Sequence, residues 1–346
     1  MAKNYVHYID FQGMATADLS KRWASAGSFS INTNSAKCWF GATRNAFMSN
    51  PCTITLPANT TKVCMGGWFF FDCTAFGSST GSNVFMAAVD TITVQVNVGM
   101  DILGRICFYN GNGTLLARTS GQVVWPSQIC HIEVKFTIST STSSGDCKCW
   151  VNGVEVLSIG AGVSTRNSAN TYANSVQFGH AATNGFYCQS LFVVDWSSGD
   201  APPVGMKRNY NLTPNGDGAT NNFVGSDGNS TSNYLLVDDM PLDTADYTGS
   251  STTNEVDLYA FTDLSVTPAS IEFVQLSTAV VKSDAGARTC RNLIRSGGTN
   301  YDSGVDITPS VSYLLYPSIW YTDPATSVAW TKSGVDALQG GLKITA

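Results

Sequence analysis

Histidine and cysteine are the residue types in this chain best able to act as a general base or a nucleophile, and one such pair is adjacent. The three histidines are His7, His131 and His180, and Cys130 directly precedes His131. Segment 129–138 alternates apolar and polar residues and predicts a strand, in which neighbouring side chains point to opposite faces. Cys130 and His131 therefore make a poor nucleophile–base pair. The sequence also lacks an H-E-x-x-H motif and a phosphate loop.

Paired carboxylates are the other catalytic pattern that a β-sandwich can carry, because a glycosidase needs an acid together with a nucleophile or base. Only four glutamates are present: Glu133, Glu155, Glu255 and Glu272. Glu255 and Asp257 are similar to the start of the E-x-D-x-x-E strand motif of sandwich glucanases, but Ala260 stands in the position of its second glutamate. We therefore predict no catalytic, cofactor-binding or metal-ligating residue and no cofactor, and we predict that the chain is not an enzyme.

Ten cysteines are present, nine of them before residue 190. Zinc sites usually use C-x(2–4)-C pairs, and the only tight spacing here, Cys147 and Cys149, is closer than that. On a strand these two side chains lie on the same face. Small buried apolar side chains are one interpretation of the cysteines, and disulfide bonds are the other.

Aromatic residues give a possible sugar-binding surface, since lectins stack sugars on aromatic faces. The chain has eight tryptophans and thirteen tyrosines, and Trp320, Tyr321 and Trp330 are close together in the sequence. Aromatic side chains in β proteins more often lie in the core or at interfaces. The sequence therefore names no sugar-binding residue.

Charge is low and unevenly distributed. The net charge is −6 and the pI is near 5.0, which argues against a nucleic-acid partner. Ten acidic residues and no basic residue lie between Arg208 and Lys282. This stretch is interpreted as a solvated acidic flank, with a calcium site in 217–257 or a patch for a basic partner as alternatives. It contains no twelve-residue loop with regularly spaced oxygen ligands.

These candidate residues must be positioned by strands, because charged residues make up only 13% of the chain and glycine is abundant at 32 residues. Asn152-Gly153 between apolar flanks predicts a hairpin with a type I′ turn. Short helices are predicted only at 15–23 and 334–340. Strands are predicted at 63–72, 83–89, 91–98, 105–109, 114–118, 129–138, 146–151, 154–158, 175–179, 187–195, 255–261, 270–282, 288–295, 311–320 and 328–331.

The composition changes near 197–203, where the cysteine-containing strands give way to an acidic segment rich in Asn, Gly and Asp. The predicted fold class is all-β, with two tandem β-sandwich, jelly-roll-like domains at 1–198 and 205–346. No apolar stretch is long enough to span a membrane, and the first eight residues contain no apolar signal core.

Several segments together resemble one protein family. They are 11–23 (FQGMATADLSKRW), 131–136, 149–157 (CWVNGVEVL), 191–195 (LFVVD), 211–223 (NLTPNGDGATNNF), 282–288 (KSDAGAR), 295–301 (RSGGTNY), 321–326 (YTDPAT) and Trp330. They resemble a tailed-bacteriophage virion structural protein family with a concanavalin A-like or laminin-G-like jelly roll. The high cysteine content is a departure from that family.

The resemblance implies a non-enzymatic structural protein on the exterior of a tailed phage particle. A capsid decoration or head-surface role is favoured, with a tail-fibre or carbohydrate-binding adhesion role as the alternative. The implied partners are major capsid or tail proteins and further copies of the chain, with host glycans under the alternative, and neither nucleic acid nor membrane. The implied localisation is the virion, assembled in the host cytoplasm and extracellular after lysis. Because a released particle meets oxidant, we also predict at least one disulfide, within the first domain or between subunits.

Overall fold

The computed structural model describes residues 4–9, 29–33, 45–48, 51–72, 83–139, 145–179, 186–197 and 202–346. Strands account for 52% of the structure and helices for 3%. The prediction of an all-β protein of jelly-roll type is therefore confirmed. The helix predicted at 15–23 lies outside the described residues. Among those residues no helix has the length and hydropathy needed to cross a membrane.

The chain divides into two units, Met1–Asn209 and Tyr210–Ala346, where the sequence predicted domains at 1–198 and 205–346. The strands of unit 1 are β1 Asn4–Ile9, β2 Phe29–Asn32, β3 Asn45–Met48, β4 Cys52–Thr60, β5 Lys62–Phe70, β6 Asn83–Asp90, β7 Thr93–Met100, β8 Ile106–Asn110, β9 Leu115–Arg118, β10 Ile129–Thr137, β11 Gly145–Val151, β12 Val154–Val163, β13 Ala173–Phe178 and β14 Phe186–Asp195.

Unit 1 is a sandwich of two antiparallel sheets. The eight-stranded sheet has the order β12-β11-β10-β5-β14-β3-β2, with β1 paired to β14, and the six-stranded sheet has the order β4-β13-β6-β7-β8-β9. Phenylalanines join the two sheets: the ring centroids of Phe69 and Phe85 are 5.8 Å apart, and those of Phe108 and Phe136 are 6.1 Å apart. These buried rings mark the core between the sheets.

The hairpin predicted at Asn152-Gly153 is present between β11 and β12. Both turn residues have positive φ, 50° at Asn152 and 79° at Gly153, as a type I′ turn requires. The Asn152 side-chain oxygen also accepts a hydrogen bond from the backbone N–H of His131 at 2.8 Å. The turn is thus tied to the neighbouring strand β10 as well.

The structure describes eight cysteines, and all of them are buried: Cys52, Cys64, Cys107, Cys130, Cys147, Cys149, Cys188 and Cys290. Cys147 and Cys149 lie opposite Phe136 and Val134 of β10, on the core face. The interpretation as small buried side chains is confirmed for this set. No disulfide joins any two of these eight cysteines. A disulfide that involves Cys38 or Cys73, which lie outside the described residues, or one between subunits stays a prediction.

Unit 2 contains a five-stranded antiparallel sheet of order β15-β18-β23-β20-β21 and two two-stranded sheets, β16-β17 and β19-β22. Its strands are β15 Pro214–Asn221, β16 Val224–Gly225, β17 Thr248–Gly249, β18 Val256–Phe261, β19 Val274–Val280, β20 Cys290–Ser296, β21 Thr299–Asp302, β22 Leu314–Trp320 and β23 Gln339–Ile344, and its helices are a 3-10 turn, Asn233–Leu236, and α1 Lys332–Asp336.

Two predicted elements of unit 2 are corrected by the structure. Residues 328–331 form isolated bridges, Asp323 to Val328 and Ile271 to Trp330, instead of a strand. The helix predicted at 334–340 ends at Asp336, because the chain then enters β23 at Gln339 and pairs with β18 and β20. Tertiary pairing outweighs local helix preference here.

Candidate functional site

A row of mostly polar side chains crosses the outer face of the six-stranded sheet. The register places Gln177 of β13 opposite both Thr53 of β4 and Ala87 of β6. Asn97 of β7 lies opposite both Ala87 and Tyr109 of β8. We call these five residues, Thr53, Gln177, Ala87, Asn97 and Tyr109, the polar row. They come from five adjacent strands of one sheet.

The alternation of β7 explains why the row faces away from the core. Val96 and Val98 are fully buried, and Val98 lies opposite Phe108, whose ring meets Phe136 of the other sheet. Asn97, between the two valines, therefore points to the other side of the sheet. An apolar inner face and an amide-bearing outer face follow from one alternating sequence.

The residues at the centre of the polar row are less exposed to solvent than those at its ends. Ala87 and Asn97 are buried, with Asn97 8% exposed, whereas Thr53, Gln177 and Tyr109 are partly exposed. Gln177 Nε2 donates to Thr53 Oγ1 at 3.3 Å. Asn97 Oδ1 is buried and has no hydrogen-bond partner in the described part of the chain. A buried acceptor without a donor is costly, so this oxygen is the atom of the polar row that would gain most from a donor.

One end of the row is close to basic side chains. Arg118 of β9 lies opposite Cys107, which shares the face of Tyr109 two positions along β8. Arg118 is exposed and forms no ion pair within the described ranges. Arg105, by contrast, is held by Asp101 at 2.6 Å. Burial raises the pKa of the Cys107 thiol, so Cys107 is a packed thiol and not a nucleophile.

Gln95 lies two residues before Asn97 on the same face, and both ends of its side-chain amide are hydrogen-bonded within the protein. Its Oε1 accepts from the backbone N–H groups of Asn167 and Ser168, at 2.7 and 3.1 Å. Its Nε2 donates to Ser168 Oγ at 2.8 Å and to the Tyr172 carbonyl at 3.1 Å. The loop 167–172 is thereby fixed at this end of β7. Gln95 is structural, and Asn97 is the amide that remains available.

The outer face of the eight-stranded sheet carries a different polar group, centred on Glu133 of β10. The Glu133 carboxylate is 1% exposed and accepts from the backbone N–H groups of Val204 and of Gly205, the latter at 2.9 Å. Cys64 Sγ donates to the same carboxylate at 3.3 Å. The segment that follows β14 is therefore anchored over this sheet. Trp68 Nε1, which donates to the Lys207 carbonyl at 2.9 Å, adds a second anchor.

His131 lies beside this anchor and is enclosed by rings. Its centroid is 5.2 Å from that of Trp68 and 6.1 Å from that of Phe192. Neither ring nitrogen has a hydrogen-bond partner among the residues that the structure describes, and burial lowers the pKa of His131 to about 4. Cys130 is on the opposite face of β10, as predicted from the sequence. His131 is thus a neutral packing residue.

The Glu255 and Asp257 pair is not an open catalytic pair. Glu255 accepts a hydrogen bond from Ser250 Oγ, whereas Asp257 is fully buried and accepts from Tyr259 Oη at 2.6 Å. Of the aromatic residues that the sequence suggested for sugar binding, Trp330 packs in the core of unit 2 with Ile294. These carboxylates and aromatic residues do not converge on one exposed surface.

Sequence reasoning did not single out the polar row. Its strands were predicted, and the signal that could have found it is the run Gln95, Asn97 and Gly99 in alternation with valines. The same alternation occurs at Ser175 and Gln177 on β13. Such residues are visible in the sequence, but only the strand order shows that they form one row.

No family model and no curated protein matches the chain. Among matching solved structures, alginate lyase vAL-1 from Chlorella virus has 9% identity and a TM-score of 0.41, covering 56% of this chain and 100% of that one. Alginate lyase Aly36B has 13% identity and a TM-score of 0.35, covering 60% and 100%. Carbohydrate-binding module CBM66 from Bacillus subtilis has 10% identity and a TM-score of 0.32, covering 50% and 95%.

These similarities contradict one prediction. The chain was predicted not to be an enzyme, and lyases are among the solved structures that match it, so that exclusion is withdrawn. At TM-scores of 0.32 to 0.41 the likeness assigns neither an activity nor a ligand to this chain. The chain is thus similar in part to jelly-roll carbohydrate-binding and lyase domains, and no family is assigned to it.

Proposed function

We propose that unit 1 binds an acidic polysaccharide along the polar row. The observation that carries this proposal is the buried Asn97 Oδ1. This oxygen lacks a donor and lies at the least exposed part of the polar row. A sugar hydroxyl would supply the missing donor. Binding would then be favoured because it relieves an unsatisfied acceptor as well as adding contacts.

The other members of the row supply complementary groups. The Gln177 amide and the Thr53 hydroxyl both donate and accept, as sugar hydroxyls do, and Tyr109 adds an aromatic ring. Arg118 supports a ligand with carboxylates, because a guanidinium pairs with a carboxylate through two parallel hydrogen bonds. We therefore favour a uronate-containing chain over a neutral glycan.

Polysaccharide binding fits the adhesion alternative, in which a protein on the exterior of a phage particle attaches to host glycans. Under this proposal its partners are host glycans, neighbouring tail proteins and further copies of the chain. The capsid decoration role remains a prediction that rests on the sequence resemblance. Locating the chain in particles by cryo-electron microscopy separates the two roles, because attachment requires a tail position and decoration requires a head position.

Binding is tested with Arg118→Gln and Asn97→Ala on an array of acidic and neutral glycans that includes alginate. We expect Arg118→Gln to weaken binding of acidic glycans about tenfold or more, because the charge-assisted pairing with a carboxylate is lost, with little change for neutral ones. Asn97→Ala should weaken binding of both classes. Lys148→Gln, on the other sheet and paired with Glu155, is the matched control and should bind as the wild type does.

The proposal is contradicted if the wild type binds no glycan on the array, or if Arg118→Gln and Lys148→Gln behave alike. Thermal unfolding of each variant identifies loss of binding that reflects misfolding, which matters most for the buried Asn97. Release of unsaturated products from alginate is followed in the same samples. Product release would show that the bound polysaccharide is also cleaved.

A further inference from the structure

Three buried side-chain oxygens without hydrogen-bond partners belong to neighbouring residues in unit 2. They are Asn221 Oδ1, Asn233 Oδ1 and Asp257 Oδ1. The register of β15 and β18 places Asn221 opposite Asp257, and Asn233 Nδ2 is 2.9 Å from Asp257 Oδ2. Asn233 and Asp257 are both 0% exposed. We call Asn221, Asn233 and Asp257 the oxygen cluster.

The donors of Asn233 and Tyr259 beside the oxygen cluster are already in use. Asn233 Nδ2 donates both to Asp257 Oδ2 and to the Phe223 carbonyl, at 2.9 and 3.0 Å. These two bonds make the nitrogen the bonded end of the amide, and Oδ1 is the end without a partner. Tyr259 Oη donates to Asp257 Oδ2 at 2.6 Å. The three Oδ1 atoms of the oxygen cluster are the buried atoms that remain without a partner.

The oxygen cluster also carries negative charge that no basic side chain of unit 2 neutralises. Asp217, on β15 opposite Tyr259, adds a second carboxylate, which accepts from the backbone N–H groups of Ser232 and Tyr234 at 2.6 and 3.1 Å. Neither Asp217 nor Asp257 forms an ion pair in unit 2, and the sequence has no basic residue between Arg208 and Lys282.

We propose that the oxygen cluster binds a hard divalent cation, Ca²⁺, with Asn221 Oδ1, Asn233 Oδ1 and Asp257 Oδ1 as side-chain ligands. Carboxylate and amide oxygens are the ligands that Ca²⁺ takes in proteins, and its flexible geometry tolerates ligands from separate elements. A cation would satisfy the three acceptors and offset the two carboxylates together. Ligands from β15, the 3-10 turn and β18 would then be held at one point.

Asp239, Asp243 and Asp246 form a second acidic group in the same unit, and it serves as the control. Their carboxylate oxygens lie within 4.8 Å of one another, but all three residues are exposed. Water satisfies exposed carboxylates, so this group has no unsatisfied acceptor to compensate. Mutation of the oxygen cluster should therefore weaken cation binding, whereas mutation of the exposed group should not.

The test uses the full chain freed of metal with EDTA and titrated with CaCl2, with MgCl2 in parallel. We expect Ca²⁺ to raise the Tm of unit 2 by about 5 °C or more at a hundredfold excess over Kd. Tb³⁺ should give luminescence sensitised by Tyr259. Asp257→Asn and the milder Asn221→Ala should each reduce both signals at least tenfold in apparent affinity, while the triple variant of Asp239, Asp243 and Asp246 to Asn should retain them.

Three results would overturn the proposal. One is an unchanged Tm with Ca²⁺, with no Tb³⁺ luminescence, in a folded wild-type chain. Another is retention of the Ca²⁺ effect in both Asp257→Asn and Asn221→Ala, and the third is its loss in the triple variant. A wild type that does not respond to Ca²⁺ but becomes more stable on acidification would show that a proton on Asp257 satisfies the cluster instead.

Discussion

Replacing Glu133 with alanine is expected to lower the free energy of unfolding of unit 1 by about 3 kcal/mol. The buried carboxylate accepts from the backbone N–H groups of Val204 and Gly205 and from Cys64 Sγ. Alanine would remove the carboxylate acceptor from both N–H groups, at a cost of about 1–3 kcal/mol each. Urea unfolding measures the loss, and hydrogen exchange at Val204 and Gly205 should show the segment released from the sheet.

The matched control for this substitution is Glu155→Ala. Glu155 is paired with Lys148 at 3.0 Å, but its side chain is 41% exposed, so its removal should cost less than about 1 kcal/mol. Equal losses for the two variants, or unchanged exchange at Val204 and Gly205, would show that Glu133 does not anchor the segment. Glu133→Gln, which retains one acceptor oxygen, should fall between wild type and alanine.

Acidification is expected to destabilise unit 1 by about 3 kcal/mol through His131 alone. Burial lowers the pKa of His131 from 6.5 to about 4 in the folded chain, so the unfolded chain binds the proton more readily between these values. The free energy of unfolding therefore falls as pH decreases from 6.5 to 4, and this contribution stays lost below pH 4. The effect is measured by urea unfolding at a series of pH values.

The variant His131→Phe isolates this contribution. Phenylalanine retains a flat ring between Trp68 and Phe192 and removes the two unpaired ring nitrogens. We expect the variant to be at least as stable as wild type at pH 7 and to lose the part of the pH slope between 6.5 and 4. Parallel curves for the two proteins over that range would assign the acid sensitivity of unit 1 to other groups, such as Asp101, whose pKa is lowered by its hydrogen bond with Arg105.

Local features of the sequence predicted local features of the fold correctly. The alternation of segment 129–138 placed Cys130 and His131 on opposite faces, and the positive-φ requirement of Asn152-Gly153 located a two-residue hairpin. Both depend only on neighbours along the chain, since side-chain direction and turn type are properties of a few consecutive residues. Where pairing with distant strands intervenes, as at the end of α1, the local prediction was wrong.

The sequence by itself therefore determined that this protein is all-β, where most strands lie and which side chains share a strand face. Only the tertiary structure decided which strands are neighbours, and that decision creates each candidate site. Gln177 and Thr53 are 124 positions apart, and Glu133 and Val204 are 71 apart. The physical reason is that strand order follows from burying both inner faces of a sandwich at once, a condition on the whole unit that no single segment expresses.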